Sequence, residues 1–145
     1  MLECITAWDG SVLLFIQEHL RFGLGDVLLP FWSSLGNVGL IWIAAALLML
    51  CFRRTRRAGV LALAAMLLNL LAVNVVLKHL VSRTRPWLVV DGLVTLLRSS
   101  DPNSFPSGHT SAAFAFAASM CCHLDVTWGK VLAVIAAVLM GWSRL

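Results

Sequence analysis

An apolar segment from Ala58 to about Val81 constrains this chain more than any other feature. Its polar residues are confined to four positions, which are Asn69, Asn74, Lys78 and His79. A helix needs about 20 predominantly apolar residues to cross a bilayer, whereas a helix at the surface of a soluble protein keeps a polar face. The segment therefore predicts a membrane-spanning helix.

The composition agrees with this prediction. Of the 145 residues, 60% are hydrophobic and 12% are charged, whereas soluble domains are about 45–50% apolar and about 25% charged. The formal net charge of +4 comes from basic residues clustered at the ends of apolar runs. Such placement fits membrane topology and an anionic ligand better than a nucleic acid. We therefore predict an integral membrane protein whose partners are membrane lipids, with no nucleic acid.

Further apolar segments predict an all-α membrane bundle that forms a single domain over residues 1–145. We expect about four spanning helices, with the other three at 37–52, at 109–123 and from 131 onward. The last span is expected to be incomplete at Leu145, so the domain is interpreted as C-terminally truncated. Alanine and serine are frequent in residues 109–123, which predicts close packing against neighbouring helices.

Three other segments are predicted not to span the membrane. Residues 9–22 carry a narrow apolar stripe among polar residues, which predicts an N-terminal helix lying in the membrane interface. Residues 26–34 predict a second short helix. Residues 87–105 contain Asp-Gly and Asp-Pro pairs and predict a loop.

A cluster of arginines predicts how the helices are oriented. It directly follows the span at 37–52 and consists of Arg53, Arg54, Arg56 and Arg57. Such clusters mark the cytoplasmic side of a membrane. Counting spans from there places residues 78–109 on the extracytoplasmic side, and the fourth span brings Arg144 to that same side.

Lys78 and Arg85 are candidate ligands for a phosphate. They are seven residues apart, so one continuous helix would place both on one face, and Pro86 would then end or kink it. Lysine offers a mobile point charge and arginine a bidentate fork. Taken alone, both side chains could equally reach lipid headgroups at a helix end.

Residues 106–109, Pro-Ser-Gly-His, precede the helix predicted at 109–123. The first amides of a helix, together with its dipole, form an anion site, and Gly108 would allow close approach to the backbone. Ser107 also fits a purely structural N-cap. His109 can donate a proton near neutral pH or simply form a hydrogen bond at the helix start.

Three motifs therefore occur in order: Lys-x6-Arg-Pro at 78–86, Pro-Ser-Gly-His at 106–109 and Ser-Arg at 143–144. In type and order they resemble the type 2 phosphatidic acid phosphatase family of membrane lipid phosphatases. The resemblance implies that Lys78, Arg85 and Arg144 bind the phosphate oxygens. It also implies that Ser107 and the Gly108 amide hold the phosphate from the loop.

The resemblance implies that His109 is the general acid that protonates the departing lipid group. Three cations would then supply the charge stabilisation of phosphoryl transfer without a metal or other cofactor. Secondary site candidates are Arg83, Pro106 and Thr110.

The third motif departs from the family pattern. In the family it continues as Ser-Arg-x5-His-x3-Asp, and its histidine is the nucleophile that becomes phosphorylated, whereas this sequence ends one residue after Arg144. We interpret the chain as a fragment, with a pseudo-enzyme as the alternative. As given, it is expected not to turn over substrate by the family mechanism.

The full-length form is therefore predicted to be a metal-independent phosphatase of lipid phosphates, with its site facing outward from a bacterial plasma membrane. By family analogy, undecaprenyl diphosphate of cell-wall synthesis ranks first among substrates, before phosphatidylglycerol phosphate and phosphatidic acid. One alternative is a non-catalytic membrane protein that binds lipid phosphates. Another is a purely structural membrane protein, which leaves Lys78, Arg85 and residues 106–109 unexplained. The sequence assigns no oligomeric state.

Overall fold

A computed structural model describes residues 2–19, 23, 25–36, 39–81, 83–84 and 103–144. These residues are helical apart from two short strands and the connecting turns. The helices are α1 (Leu2–His19), α2 (Gly25–Leu35), α3 (Leu40–Leu50), α4 (Arg56–Val81), α5 (Gly108–His123) and α6 (Thr127–Trp142). The strands are β1 (Arg83–Thr84) and β2 (Asn103–Phe105).

The apolar segment at 58–81 forms the long helix α4, as predicted. Its 26 residues extend about 39 Å at 1.5 Å per residue, enough to cross a hydrocarbon core of about 30 Å. Large apolar side chains such as Leu67, Leu68 and Val75 are more than half exposed. An exposed apolar surface of this kind is expected where a helix contacts lipid.

The backbone of α4 changes at Leu70, where it adopts a π-helical conformation that continues to Leu77. An α-helical turn, Lys78–Val81, follows. Single-turn π segments are the usual form within α-helices and often occur near functional sites, so eight residues is a long example. The sequence predicted a spanning helix here but not this change in its backbone conformation.

The structure gives fewer clear spans than the four predicted. By length and composition, α4 is long and apolar enough to cross a membrane. The bent pair Leu28–Leu35 and Leu40–Leu50 is a second candidate if the two helices count as one span. Helix α6 is apolar but has only 16 residues, which extend about 24 Å. The described chain is therefore a helical bundle with one clear span.

Small side chains allow helices α3 to α6 to pack closely. Helix α5 contacts both α4 and α6, and α3 packs along α4. The shared core is dominated by alanine and methionine, with the exposed fraction of Ala46, Ala62, Ala113, Ala137 and Met140 at 0%. Close approach of alanine-rich faces provides the van der Waals contact that holds membrane helices together, as predicted for residues 109–123.

Helix α2 packs against this bundle through aromatic and small residues. The Trp32 and Trp42 rings meet edge-on at 6.5 Å between centroids, and Trp42 lies against Phe116 at 5.4 Å. A Cβ added to Gly36 would lie 2.5 Å from the Met140 side chain. These contacts bring α2 against α3 and the turn after α2 against the end of α6.

Several predicted boundaries need correction. Helix α1 begins at Leu2, seven residues before the predicted interfacial helix, and α6 begins at Thr127, earlier than the predicted 131. Helix α6 ends at Trp142, where the Ser143 hydroxyl donates to the Met140 carbonyl at 2.8 Å. The predicted loop at 87–105 includes strand β2, and its residues 87–102 lie outside the described part of the chain.

Candidate functional site

A two-stranded ribbon joins the first two sequence motifs. Strand β1 pairs antiparallel with β2, with Arg83 opposite Phe105 and Thr84 opposite Asn103, and the register shifts between these pairs. The lysine–arginine motif at 78–86 and the Pro-Ser-Gly-His motif at 106–109 are therefore held side by side. The sequence did not predict this pairing, because the strands are only two and three residues long and no alternating pattern marks them.

The ribbon also corrects the predicted geometry of Lys78 and Arg85. The helix ends at Val81 and the backbone is extended at β1, so the continuous helix expected from Lys78 onward is interrupted. Lys78 lies in the last turn of α4 and is half-buried. Arg85 and Pro86 lie outside the described residues, and only the backbone of Arg83 is described.

Ser107 caps the N-terminus of α5. Its backbone is extended, and its hydroxyl oxygen accepts hydrogen bonds from the Thr110 amide at 3.4 Å and the Thr110 hydroxyl at 3.1 Å. Ser107 therefore has the N-cap role that the sequence suggested. The amides of Gly108 and His109 precede Thr110 in the first turn of α5, at the positive end of the helix dipole.

Gly108 is packed against the π-helical segment of α4. A Cβ at this position would lie 3.1 Å from Oδ1 and 3.7 Å from Nδ2 of Asn74. A side chain larger than hydrogen would push Asn74 away, which explains why glycine suits the first position of α5. Asn74 of α4 therefore lies directly against the first residue of α5.

A second polar contact fixes the same end of α5 to α4. Asn69 Nδ2 donates to the Ser111 hydroxyl oxygen at 3.2 Å, and that hydroxyl donates to the Gly108 carbonyl at 3.1 Å. Interhelical hydrogen bonds of this kind hold membrane helices in register. The two asparagines of the apolar segment therefore both contribute to placing residues 107–111.

The end of α6 returns to the start of α5. A Cβ on Gly141 would lie 3.5 Å from Cγ2 of Thr110, and Arg144 follows three residues later. Arg144 Nη1 donates to the hydroxyl of Ser33 at 3.1 Å, and Ser33 is 1% exposed. The structure thus brings Arg144 to the end of the bundle that carries His109, and gives it a buried partner on α2.

His109 is the second residue of α5 and is half-buried. The other histidines with described side chains differ in position: His79 is exposed with its Nδ1 2.9 Å from the Val75 carbonyl oxygen, and His19 stacks on Phe15 in α1. His123 ends α5 at the opposite end of the bundle. His109 is therefore the histidine placed beside Ser107, Gly108 and the end of α6.

Together these residues form an end of the bundle suited to an anion. The N-terminus of α5, Lys78 in the last turn of α4 and Arg144 after α6 lie at this end, and each favours negative charge. Within the residues that the structure describes, no three His, Cys, Asp or Glu side chains lie close enough to hold a metal ion.

The two roles of Ser107 can be separated by substitution. Ser107→Ala removes the cap of α5 and is expected to lower the free energy of unfolding by about 1 kcal/mol, measured by thermal unfolding in detergent. Ser107→Asp, which retains a capping oxygen, should restore stability while its charge repels a phosphate. Ser34→Ala, which removes an exposed hydroxyl bonded to Phe31, is the control and should change stability little.

Comparisons with known proteins cover the same motifs. The sequence model of the PAP2 superfamily matches residues 58–145, which include all three motifs. An undecaprenyl-diphosphatase from Sulfolobus acidocaldarius is 28% identical over 118 residues, which are 81% of this chain and 56% of that protein. The chain thus spans about half the length of this curated relative. No solved structure gives a significant match.

Proposed function

Because the chain belongs to the PAP2 superfamily, we propose that it forms the phosphate-binding part of a membrane phosphatase that hydrolyses lipid phosphates or diphosphates. A polyprenyl diphosphate such as undecaprenyl diphosphate is the proposed first substrate, ahead of phosphatidylglycerol phosphate and phosphatidic acid. The name of the Sulfolobus relative supports this order.

One observation carries the proposal: the N-terminus of α5 meets the ends of α4 and α6. Gly108 lies against Asn74 of α4, and Thr110 lies against Gly141 of α6. Lys78 and Arg144 belong to those two helix ends. Cations and a helix N-terminus at one place fit the three equatorial oxygens of a transferring phosphoryl group.

We assign the binding roles accordingly. Lys78, Arg85 and Arg144 neutralise the phosphate oxygens, and Ser107 and the Gly108 amide hold the group from the start of α5. In this arrangement the Arg144 fork moves from Ser33 to the phosphate, exchanging a neutral hydrogen-bond partner for a charged one. Charge stabilisation is supplied by these cations, so the reaction proceeds without a metal.

The proposed reaction has two displacement steps. A histidine nitrogen supplied by the third motif attacks the terminal phosphorus, and the bond from phosphorus to the leaving oxygen breaks while His109 gives that oxygen its proton. Water then hydrolyses the phosphohistidine, releases inorganic phosphate and returns a proton to His109. The attacking histidine is the one that the family pattern places six residues after the arginine of the third motif.

We further propose that the bundle has four spans in the plasma membrane. The arginines at 53–57 lie at the start of α4 and Lys78 lies in its last turn, so the two ends of α4 face opposite sides. With the arginine cluster in the cytoplasm, the phosphate site faces outward. A lipid diphosphate exposed at the outer surface would reach it by lateral diffusion.

Phosphate release in the presence of EDTA tests the metal-free mechanism. The assay uses a chain continued through the third motif, with undecaprenyl diphosphate as substrate, and wild-type activity should persist in EDTA. Arg85→Ala should lower the rate by about 10²–10³-fold, the usual cost of losing one charge-stabilising donor. Arg85→Lys should recover only part of it, because lysine lacks the bidentate fork. Loss of wild-type activity in EDTA would contradict the proposal.

The second candidate function is binding without hydrolysis. It is supported by the same arrangement, because a helix N-terminus and cations bind a phosphate whether or not a nucleophile attacks it. A binder should retain farnesyl diphosphate in equilibrium dialysis and release no phosphate, even when the chain continues as its coding DNA specifies. Release of phosphate by that continued chain would exclude it.

A further inference from the structure

An apolar groove lies at the end of the bundle opposite His109. Its volume is about 360 Å³, and its lining is almost entirely apolar. Residues from the end of α3, the end of α5 and the start of α6 form it, including Met49, Met120, Leu124, Trp128 and Leu132. Trp128 and Leu132 are 69% and 54% exposed, so the groove is open toward the surroundings of the bundle.

Positive charge surrounds one end of this groove. Thr55 lines it and stands in the middle of the cluster Arg53, Arg54, Arg56 and Arg57, whose four side chains are all exposed. The Arg56 Nε donates to the Leu50 carbonyl at 3.0 Å, which holds this side chain against the end of α3. Lys130 adds a further cation next to Gly129 of the groove wall.

Little negative charge lies near these cations in the sequence. The sequence contains no aspartate or glutamate between Asp26 and Asp91, and among the described side chains Asp125 stands between Leu124 and Val126 of the groove lining. A topological role for the arginines explains their number. It does not explain an apolar groove that opens beside them.

We propose that this groove binds one acyl chain of an anionic phospholipid whose headgroup phosphate is held by Arg53 and Arg54. The apolar lining matches a hydrocarbon chain, and the rim matches a phosphate through charge-assisted hydrogen bonds. This site is distinct from the proposed phosphatase site, because α4 and α5 separate the two ends of the bundle. Its occupant is a bilayer lipid that stays bound during turnover.

Quenching of tryptophan fluorescence tests the site, since Trp128 lies in the groove wall. The purified chain in neutral detergent is titrated with phosphatidylglycerol carrying brominated acyl chains, and separately with phosphatidylcholine carrying the same chains. Trp128→Phe identifies the part of the signal that comes from the groove. We expect phosphatidylglycerol to bind at least about tenfold more tightly. Replacing Arg53 and Arg54 by glutamine should cost about fivefold for each arginine.

A matched pair of substitutions tests the groove itself. Leu132→Gln places an amide in the groove and should weaken both lipids by about tenfold, whereas Val131→Gln, at a neighbouring position that is 50% exposed and outside the lining, should leave binding unchanged. Both positions are exposed, so both variants are expected to fold. Because the measurement is made in detergent, an effect of the arginines on orientation in a membrane does not influence the result.

Three results would overturn the proposal. One is equal affinity for the two lipids, and another is equal behaviour of the two glutamine variants. The third is a dimer without bound lipid in native mass spectrometry, which would mean that a second copy of the chain occupies the groove. Persistent lipid selectivity in a chain that lacks phosphatase activity would support the site independently of the proposed function.

Discussion

Replacing His109 by alanine is expected to lower phosphate release from a lipid substrate by about 10²–10⁴-fold, the usual contribution of a positioned general acid. The assay again uses the chain continued through the third motif. His109 is half-buried at the start of α5, next to the proposed phosphate ligands Ser107 and Gly108. Binding of inorganic phosphate should be affected much less than turnover, because the cations and the helix N-terminus remain.

The size of the loss should depend on the leaving group. Phosphatidic acid must expel an alkoxide, which is a poor leaving group unless it is protonated. Undecaprenyl diphosphate expels a phosphate, which is a better leaving group and depends less on protonation. His109→Ala should therefore impair phosphatidic acid hydrolysis more than diphosphate hydrolysis. His79→Ala is the matched control, because His79 is exposed on α4, and it should leave both rates unchanged. Equal losses for both substrates would show that His109 only positions other groups.

Replacing Gly59 by alanine is expected to destabilise the bundle by about 1–3 kcal/mol, the range for overpacked cores. The added Cβ would lie 2.7 Å from the Ala46 carbonyl oxygen and 3.1 Å from side-chain atoms of Met49 and Leu50. A backbone atom cannot move aside without shifting α3 relative to α4. The gain in helix propensity, about 0.5–1 kcal/mol, offsets only part of this cost.

Thermal unfolding of the purified chain in detergent measures this effect. Gly129→Ala is the control, since its Cβ would meet the end of a flexible side chain, Cδ2 of Leu124, at 2.6 Å. A leucine side chain can rotate away, so this variant should keep most of its stability. If both variants unfold at the wild-type temperature, the close contact between α3 and α4 does not hold the bundle together.

Sequence periodicity and motif order predicted the parts of this protein that depend on local features. The apolar run at 58–81 lies in helix α4, and the candidate cap Ser107 directly precedes a helix that begins at Gly108. The family assignment is confirmed by the match over residues 58–145. These features depend on nearby residues, which a single sequence displays directly.

Features that depend on distant residues were not predicted. The residues from Leu70 to Leu77 adopt a π-helical conformation, but their apolar sequence carries no clear signal that distinguishes it from an α-helix. The ribbon between β1 and β2 pairs residues about twenty positions apart, and the Ser33–Arg144 hydrogen bond joins residues 111 apart. The helical continuation expected after Lys78 was wrong, because pairing in the ribbon gives residues 83–84 an extended backbone.

The ribbon has a consequence for how such a site could diversify. Strands β1 and β2 fix the two ends of the segment 85–102 relative to each other, so its middle can change in length without moving α4 or α5. The entropy cost of closing a chain segment grows slowly, by about 0.6 kcal/mol for each doubling of its length. Insertions there could adapt the protein to different lipid headgroups while the residues that hold the phosphate stay in place.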